Sequence, residues 1–375
     1  MTDLAKIKLA RILTTSYFFL PIIIVYLQSR GFNLKQVFLI SSIHSLCVVL
    51  FEYPTGVIAD YFSPRTSVFL GYLLSAIVVF LMGFPLGFLS YTILMVLYSV
   101  SVTLMSGSDT VLISSVSKNF REDFSNINYS SQTWSVITII LGSLIAKYSF
   151  SLTFFLSALL YLLGAILVFL MSRNLHQREE GNIFNKAKEG LFIVARDKNI
   201  FYLTIIGLVT GGFFVSFKWL YNPLFEVLRI DLAFWGVLIA LASVFIAIGM
   251  KFYPKIAKLG FIVPILISLG ATLLTGITSF WLISLLGLFV LHFISGYLQT
   301  HTDFLINESA PKGHQASVLS FKNMVMRLFS SFYILVAGYI ISGLGFSKLM
   351  VFTAIITTGL LAILAIKRKS IKLIL

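Results

Sequence analysis

Apolar runs recur along the chain at roughly 8–28, 34–56, 66–84, 88–112, 127–147, 150–172, 200–222, 232–250, 260–278, 281–305, 315–342 and 346–366. About 20 apolar residues wound as an α-helix cover roughly 30 Å, the thickness of a bilayer's hydrocarbon core. Each run therefore predicts one membrane-spanning helix, twelve in all. Most joins are very short, as at Phe84-Pro85 and Ser279-Phe280, so successive helices must form antiparallel hairpins. The pattern changes once, where Arg173 to Lys198 turns polar and divides six runs from six. We read residues 1–172 as one six-helix bundle, 173–199 as a linker and 200–375 as a second bundle. Within the linker, Asn185 to Val194 reads either as an amphipathic helix on the membrane surface or as solvated chain.

Composition agrees with this pattern. The 375 residues are 58% hydrophobic and 11% charged, whereas soluble domains are roughly half apolar and about a quarter charged. The expected fold class is all-α integral membrane, with twelve transmembrane helices in two pseudo-symmetric six-helix bundles. A net charge of +14 would suit nucleic acid, but no basic domain is present to bind it. The placement of Lys and Arg accounts for the charge instead. With the N-terminus in the cytoplasm, 20 of the 28 fall on the inner side and 5 on the outer side, and Lys218, Lys322 and Arg327 stay within apolar runs. That bias predicts cytoplasmic N- and C-termini. The first apolar run extends to about Leu27 with no small-residue cleavage site, so it reads as a retained helix rather than a signal peptide.

Several chemistries are disfavoured. Cys47 is the single cysteine, which excludes an intrachain disulfide. The five histidines are dispersed over both halves, and only His301 and Asp303 are near neighbours, so neither an enzyme nor a metal site is expected. No nucleotide-binding loop of the GxxxxGK[ST] type occurs, and no cofactor is implied. Transport energy must then come from an ion gradient or from the substrate's own gradient.

The two halves carry matching marks. Asp109 ends the fourth run and Asp303 the tenth, Gly56 and Gly249 close the second and eighth, and Asn33 and Asp231 stand where N-caps would start those two. The offsets are 194, 193 and 198 residues. Parallel repeats of this kind predict a midplane cavity between two halves of the same topology.

Residues 51–66, FEYPTGVIADYFSPRT, place Glu52, Asp60 and Arg65 around a Pro-Thr-Gly step at the cytoplasmic end of the second run. Gly56 and Asp60 are four apart and share a helix face. Arg65 can pair with Asp60 or with Asp109, and such a set can hold inner helix ends together in one state and release them in another. The stretch resembles the loop 2–3 signature of the major facilitator superfamily, Gly-x-x-x-Asp-[Arg/Lys]-x-Gly-x-[Arg/Lys]. Gly56, Asp60 and Arg65 match, while Tyr61, Ser63 and Thr66 depart from it. Glu52-Tyr53-Pro54-Thr55-Gly56, SGSDTVLISS (106–115) and HQASVLSFKNMVMRL (314–328) resemble a bacterial drug-efflux branch of that superfamily. The resemblance implies a monomeric drug:proton antiporter of the bacterial cytoplasmic (inner) membrane, with protons as coupling ion. In the second half, GMKFYPKIAKLG (249–260) keeps Gly249 and Lys251, Lys255 and Lys258 but has no Asp, so the inner gate is expected to be asymmetric.

Ionisable groups inside spans are expensive and suggest function. Glu52, Asp109 and Asp303 lie near inner helix ends and suit gating, capping or proton carriage. His44, mid-run, is either a titrating group or a packing residue. Lys218 and Lys322 either snorkel to the outer and inner interfaces or bind substrate. Arg327 lies too deep to snorkel. It is a cavity residue for an anionic group, or the partner of Asp303 or Glu52. Trp134 and Tyr17 fall on helices that line the cavity in the superfamily and would stack on a flat substrate. Trp219 and Tyr221 suit that role or an interfacial belt. Pro21 and Asn222-Pro223 signal broken helices. The expected activity is efflux of a drug or secondary metabolite. The alternative, prompted by Lys218, Lys322 and Arg327, is uptake of an anionic metabolite.

Overall fold

A computed structural model describes residues 1–172, 191–278, 280–311 and 314–367, with their side chains except at 53, 56–62, 316 and 360–367. The linker reading therefore lies mostly outside the described residues, as do the side chains of Gly56 and Asp60. Helix occupies every one of the predicted runs. The first half comprises α1 (Asp3–Leu13), α2 (Ile23–Ser29), α3 (Leu34–Phe62), α4 (Pro64–Met82), α5 (Phe88–Met105), α6 (Ser108–Val116), α7 (Phe120–Ala146) and α8 (Phe150–Phe169). The second comprises α9 (Lys198–Phe217), α10 (Tyr221–Val227), α11 (Leu232–Ile256), α12 (Ile262–Ile277), α13 (Trp281–Ser309), α14 (Gln315–Leu344) and α15 (Phe346–Lys367).

Chain contacts define two compact units, Met1–Ile183 with Asp231–Val237, and Phe184–Ile230 with Leu238–Leu375. In the first, α4 packs against α5 and α8, and α1 against α7 and α8. In the second, α12 packs against α13 and α15, and α9 against α13 and α14. The third span of each unit thus touches its fourth and sixth, as a repeated topology requires. Small and hydroxylated residues make the close contacts, as expected where lipid offers no hydrophobic drive between helices. Ser75 Oγ donates to Ser101 Oγ at 2.8 Å, and Ser67 Oγ to the Leu104 carbonyl at 2.7 Å. A Cβ at Gly249 would lie 2.0 Å from the Phe293 carbonyl oxygen, and one at Gly296 would lie 2.1 Å from that of Ile246. These two glycines let the backbones of α11 and α13 touch.

That contact corrects the boundaries read from the sequence. Gly249 does not close its helix, because α11 continues through Pro254 to Ile256. Gly56 likewise sits inside α3, which runs through Pro54 to Phe62. Nor do Asp109 and Asp303 end their helices. Asp109 stands in the first turn of α6, after a break at Gly107 with φ 77°, and Asp303 lies two turns before the end of α13. An apolar run ends where the membrane ends, whereas the helix continues into water until its capping chemistry stops it.

The first span of each unit is interrupted. α1 stops at Thr14, whose hydroxyl donates to the Ala10 carbonyl, and a 3-10 turn at Leu20–Ile22 restarts the chain with Pro21 in its first turn. The break thus precedes the proline. In the second unit it falls at Lys218–Leu220, and Pro223 stands in the first turn of α10, where its missing N–H costs nothing. Asn33 caps α3 in a reciprocal capping box with Gln36. Asp231 accepts from the Ala233 amide at 2.9 Å and pairs with Lys147 at 3.2 Å.

Candidate functional site

Charges in the first unit assemble differently from the sequence expectation. Asp109 is buried, with a side chain 9% exposed, and its ion-pair partner is Arg11 of α1. Asp109 also accepts from the Thr110 amide at 2.7 Å. Tyr17 and Tyr72 lie close to Arg11, and Tyr72 is fully buried. Arg65 makes a different connection: its Nε donates to the Val168 carbonyl at 3.1 Å and its Nη2 to that of Phe169. It therefore caps the C-terminal carbonyls of α8, where the helix dipole is negative. Of the two partners expected for Arg65, Asp109 is taken by Arg11, and the side chain of Asp60 lies outside the described residues. In the sequence Arg11 stands near the start of the first run, one of the basic residues on its cytoplasmic side.

His44 is hydrogen-bonded and packed against an aromatic ring. Its Nδ1 meets Ser99 Oγ at 2.8 Å, and its ring tilts against Tyr98 at 5.7 Å between centroids. Trp134 Nε1 donates to Ser16 Oγ at 2.7 Å, and the Tyr17 amide donates to Thr138 Oγ1 at 3.1 Å. Both ties fasten α7 to the unwound stretch of the first span, where free backbone groups need partners. Glu52 is half-buried on α3.

In the second unit, Lys322 is buried, with a side chain 2% exposed, and it pairs with Asp303 of α13, whose side chain is 39% exposed. Lys322 thus lies buried and ion-paired rather than extended to the surface, and its partner Asp303 is the exposed member of the pair. A Cβ on Gly207 of α9 would sit 3.1 Å from Lys322 Cδ and from Thr302 Cγ2, so the glycine leaves room for the lysine stem. Asp303 is also no partner of Arg327, which is exposed.

Sequence reasoning passed over two histidine pairs. His292 Nδ1 lies 2.7 Å from the Leu288 carbonyl, which can only accept, so that nitrogen carries the proton. Nε2 then accepts from the Tyr221 hydroxyl at 2.6 Å. His301 meets Tyr253 at 3.2 Å. Tyr221 and Trp219 are buried, at 7% and 6% exposure, so neither stands at an interfacial belt.

Comparison with known proteins decides the family. The model of the Major Facilitator Superfamily matches residues 11–334. The chain belongs to this superfamily. It is a multi-pass membrane transport protein, not an enzyme, with the all-α major facilitator fold. It is 25% identical over 256 residues to the uncharacterized MFS-type transporter YxaM of Bacillus subtilis (strain 168), covering 64% of this chain and 63% of YxaM. It is 24% identical over 378 residues to the uncharacterized MFS-type transporter MJ1560 of Methanocaldococcus jannaschii, covering 94% of each. Among solved structures, the nucleoside transporter NupG superposes with a TM-score of 0.77 at 14% identity, over 98% of this chain and 100% of that one. A bacterial homolog of the human lysosomal transporter Spinster gives 0.78 at 12% identity, covering 98% and 96%. A POT family transporter in complex with a thioalcohol-conjugated peptide gives 0.77 at 14%, also covering 98% and 96%.

Proposed function

We propose that the protein is a proton-coupled secondary transporter that exports a small organic molecule from the cytoplasm by alternating access, with both termini cytoplasmic. One observation carries the coupling: the Asp303–Lys322 pair, in which the base is buried and the acid stays open to water. A proton arriving on Asp303 would leave the Lys322 ammonium buried without its counter-charge. Breaking a fully buried pair costs about 3–5 kcal/mol, and less where one partner is solvated. Protonation would therefore favour any conformation that wets Lys322 or offers it another acceptor. That difference between states links proton binding to a conformational step. Glu52, Gly56, Asp60 and Arg65 of the loop 2–3 signature serve the inner gate in this reading. The drug-efflux direction rests on the Glu52–Gly56, 106–115 and 314–328 patches.

Reconstitution in vesicles under a pH gradient of either sign, with flux of amphipathic drugs and organic anions as readout, tests the proposal. Flux should follow the sign of the gradient, and Asp303→Asn should make it indifferent. Gradient-independent flux in the unaltered protein would overturn the coupling. Accumulation inward with the proton would exchange export for uptake.

A further inference from the structure

Two cations of the second unit, Lys218 and Arg327, have exposed side chains and no carboxylate partner among the described residues; Lys218 Nζ lies 5.7 Å from the centroid of the Trp219 ring. Their relation follows from the way α9 and α14 pack. Gly207 lies against Lys322, a Cβ on Gly211 would lie 2.4 Å from Met326 Sδ, and Ser216 Oγ meets Ser330 Oγ at 2.8 Å. Each contact pairs residues about 115 apart in the chain, so the two helices run parallel in fixed register. On that register Lys218 stands level with Tyr333, six residues or about 9 Å along the axis from Arg327. Side chains as long as Lys and Arg can converge across that distance, and these two lie within electrostatic reach of one another.

The faces of α14 show which medium Arg327 meets. Phe332, Val336 and Tyr339 form an exposed apolar stripe, at 69%, 38% and 57% exposure. Ser320, Asn323 and Arg327 form an exposed polar stripe. At about 100° per residue, Asn323 is about 180° from Phe332. The apolar stripe suits lipid, and an exposed guanidinium on the opposite face belongs in water, since in hydrocarbon it would be costly. Lys218 is exposed at the break between α9 and α10, where the helix leaves its last carbonyls. Two like charges within reach of one another on this helix pair repel until an anion bridges them, and the Trp219 ring offsets only part of one of them.

We infer that Lys218 and Arg327 form a two-point clamp for an anionic group, a carboxylate, sulfonate or phosphate, so that the transported molecule is an organic anion. This rests on the transport reading but not on proton coupling or direction. The test is chemical and needs no gradient. Purified protein in detergent is labelled with para-sulfophenyl isothiocyanate, an anionic amine reagent, or with neutral phenyl isothiocyanate, and adducts at each lysine are counted by mass spectrometry. The sulfonated reagent should favour Lys218 over the other lysines. Arg327→Gln should cut the anionic-to-neutral ratio at Lys218 roughly tenfold, equivalent to about 1.4 kcal/mol, while Arg327→Lys keeps most of it. A ratio that is unbiased in the unaltered protein, or unchanged in Arg327→Gln, overturns the clamp. Should Arg327→Gln fail to fold, competition on the unaltered protein decides: benzenesulfonate must slow the sulfonated label at Lys218 and benzenesulfonamide must not. Equal effects of the two overturn it. A clamp that passes alongside flux indifferent to pH would leave the anion site standing and remove proton coupling alone.

Discussion

Asp109 of α6 pairs with Arg11 of α1, while Arg65 of α4 reaches the last carbonyls of α8 instead. The pair ties α1 to α6 through a carboxylate that is nearly withdrawn from solvent, beside the buried hydroxyl of Tyr72. Removing one partner leaves the other charge uncompensated. Asp109→Asn should lower stability by about 3 kcal/mol, the low end for a broken buried pair because Arg11 is 31% exposed. The double variant Arg11→Met with Asp109→Leu should recover most of that loss. Thermal unfolding in detergent measures both, and equal losses in the single and double variants would exclude a pairwise origin.

The Asp303–Lys322 pair separates stability from coupling. Asp303→Asn should destabilise the second unit and abolish the response of flux to a pH gradient. Adding Lys322→Met should restore thermal stability without restoring that response, because no group remains to exchange the proton. Vesicle flux and detergent melting, run on the same preparations, report the two effects independently.

Glycine contacts make a steric prediction with an internal control. Gly249→Ala and Gly296→Ala each force a methyl against a backbone carbonyl that a rotamer change cannot move. Each should cost about 1–3 kcal/mol, more than the gain of about 1 kcal/mol from replacing a helical glycine. Gly270, inside α12, has nothing within 4 Å of its added methyl, so Gly270→Ala should be neutral or stabilising. Melting temperatures of the three variants decide the matter.

Asp3 ties the start of α1 to the residues just after α8. Its carboxylate accepts from the Ser172 hydroxyl and amide and pairs with Lys6 at 2.9 Å. The Ser172 hydrogen bond, followed by Lys6, holds its pKa down at about 2 against an ordinary 3.8. A depressed carboxylate stabilises the folded state above its unfolded pKa and loses that contribution as pH falls through the folded one. Protection of the Ser172 amide from hydrogen exchange should therefore persist above pH 3.8 and fade towards pH 2. Asp3→Asn should remove this pH dependence from the window.

The all-helical membrane fold was legible because hydropathy and length are local properties, and a bilayer converts them directly into spans. The ionisable groups inside those spans were equally visible, since cost alone marks them out. Their partners were not. Arg65 reads in the sequence as a partner of Asp60 or Asp109, and Lys322 as a snorkelling or substrate-binding cation; which contact each makes depends on how far each helix rotates about its axis and how deeply it slides past its neighbours. Gly207 and Gly249 carry that information, but only as close approaches between segments distant in the chain. A sequence names the charges that must be neutralised. Packing alone decides which carboxylate reaches Lys322 and leaves Arg327 exposed, because side-chain ion pairs act over a few ångströms that only the tertiary structure sets.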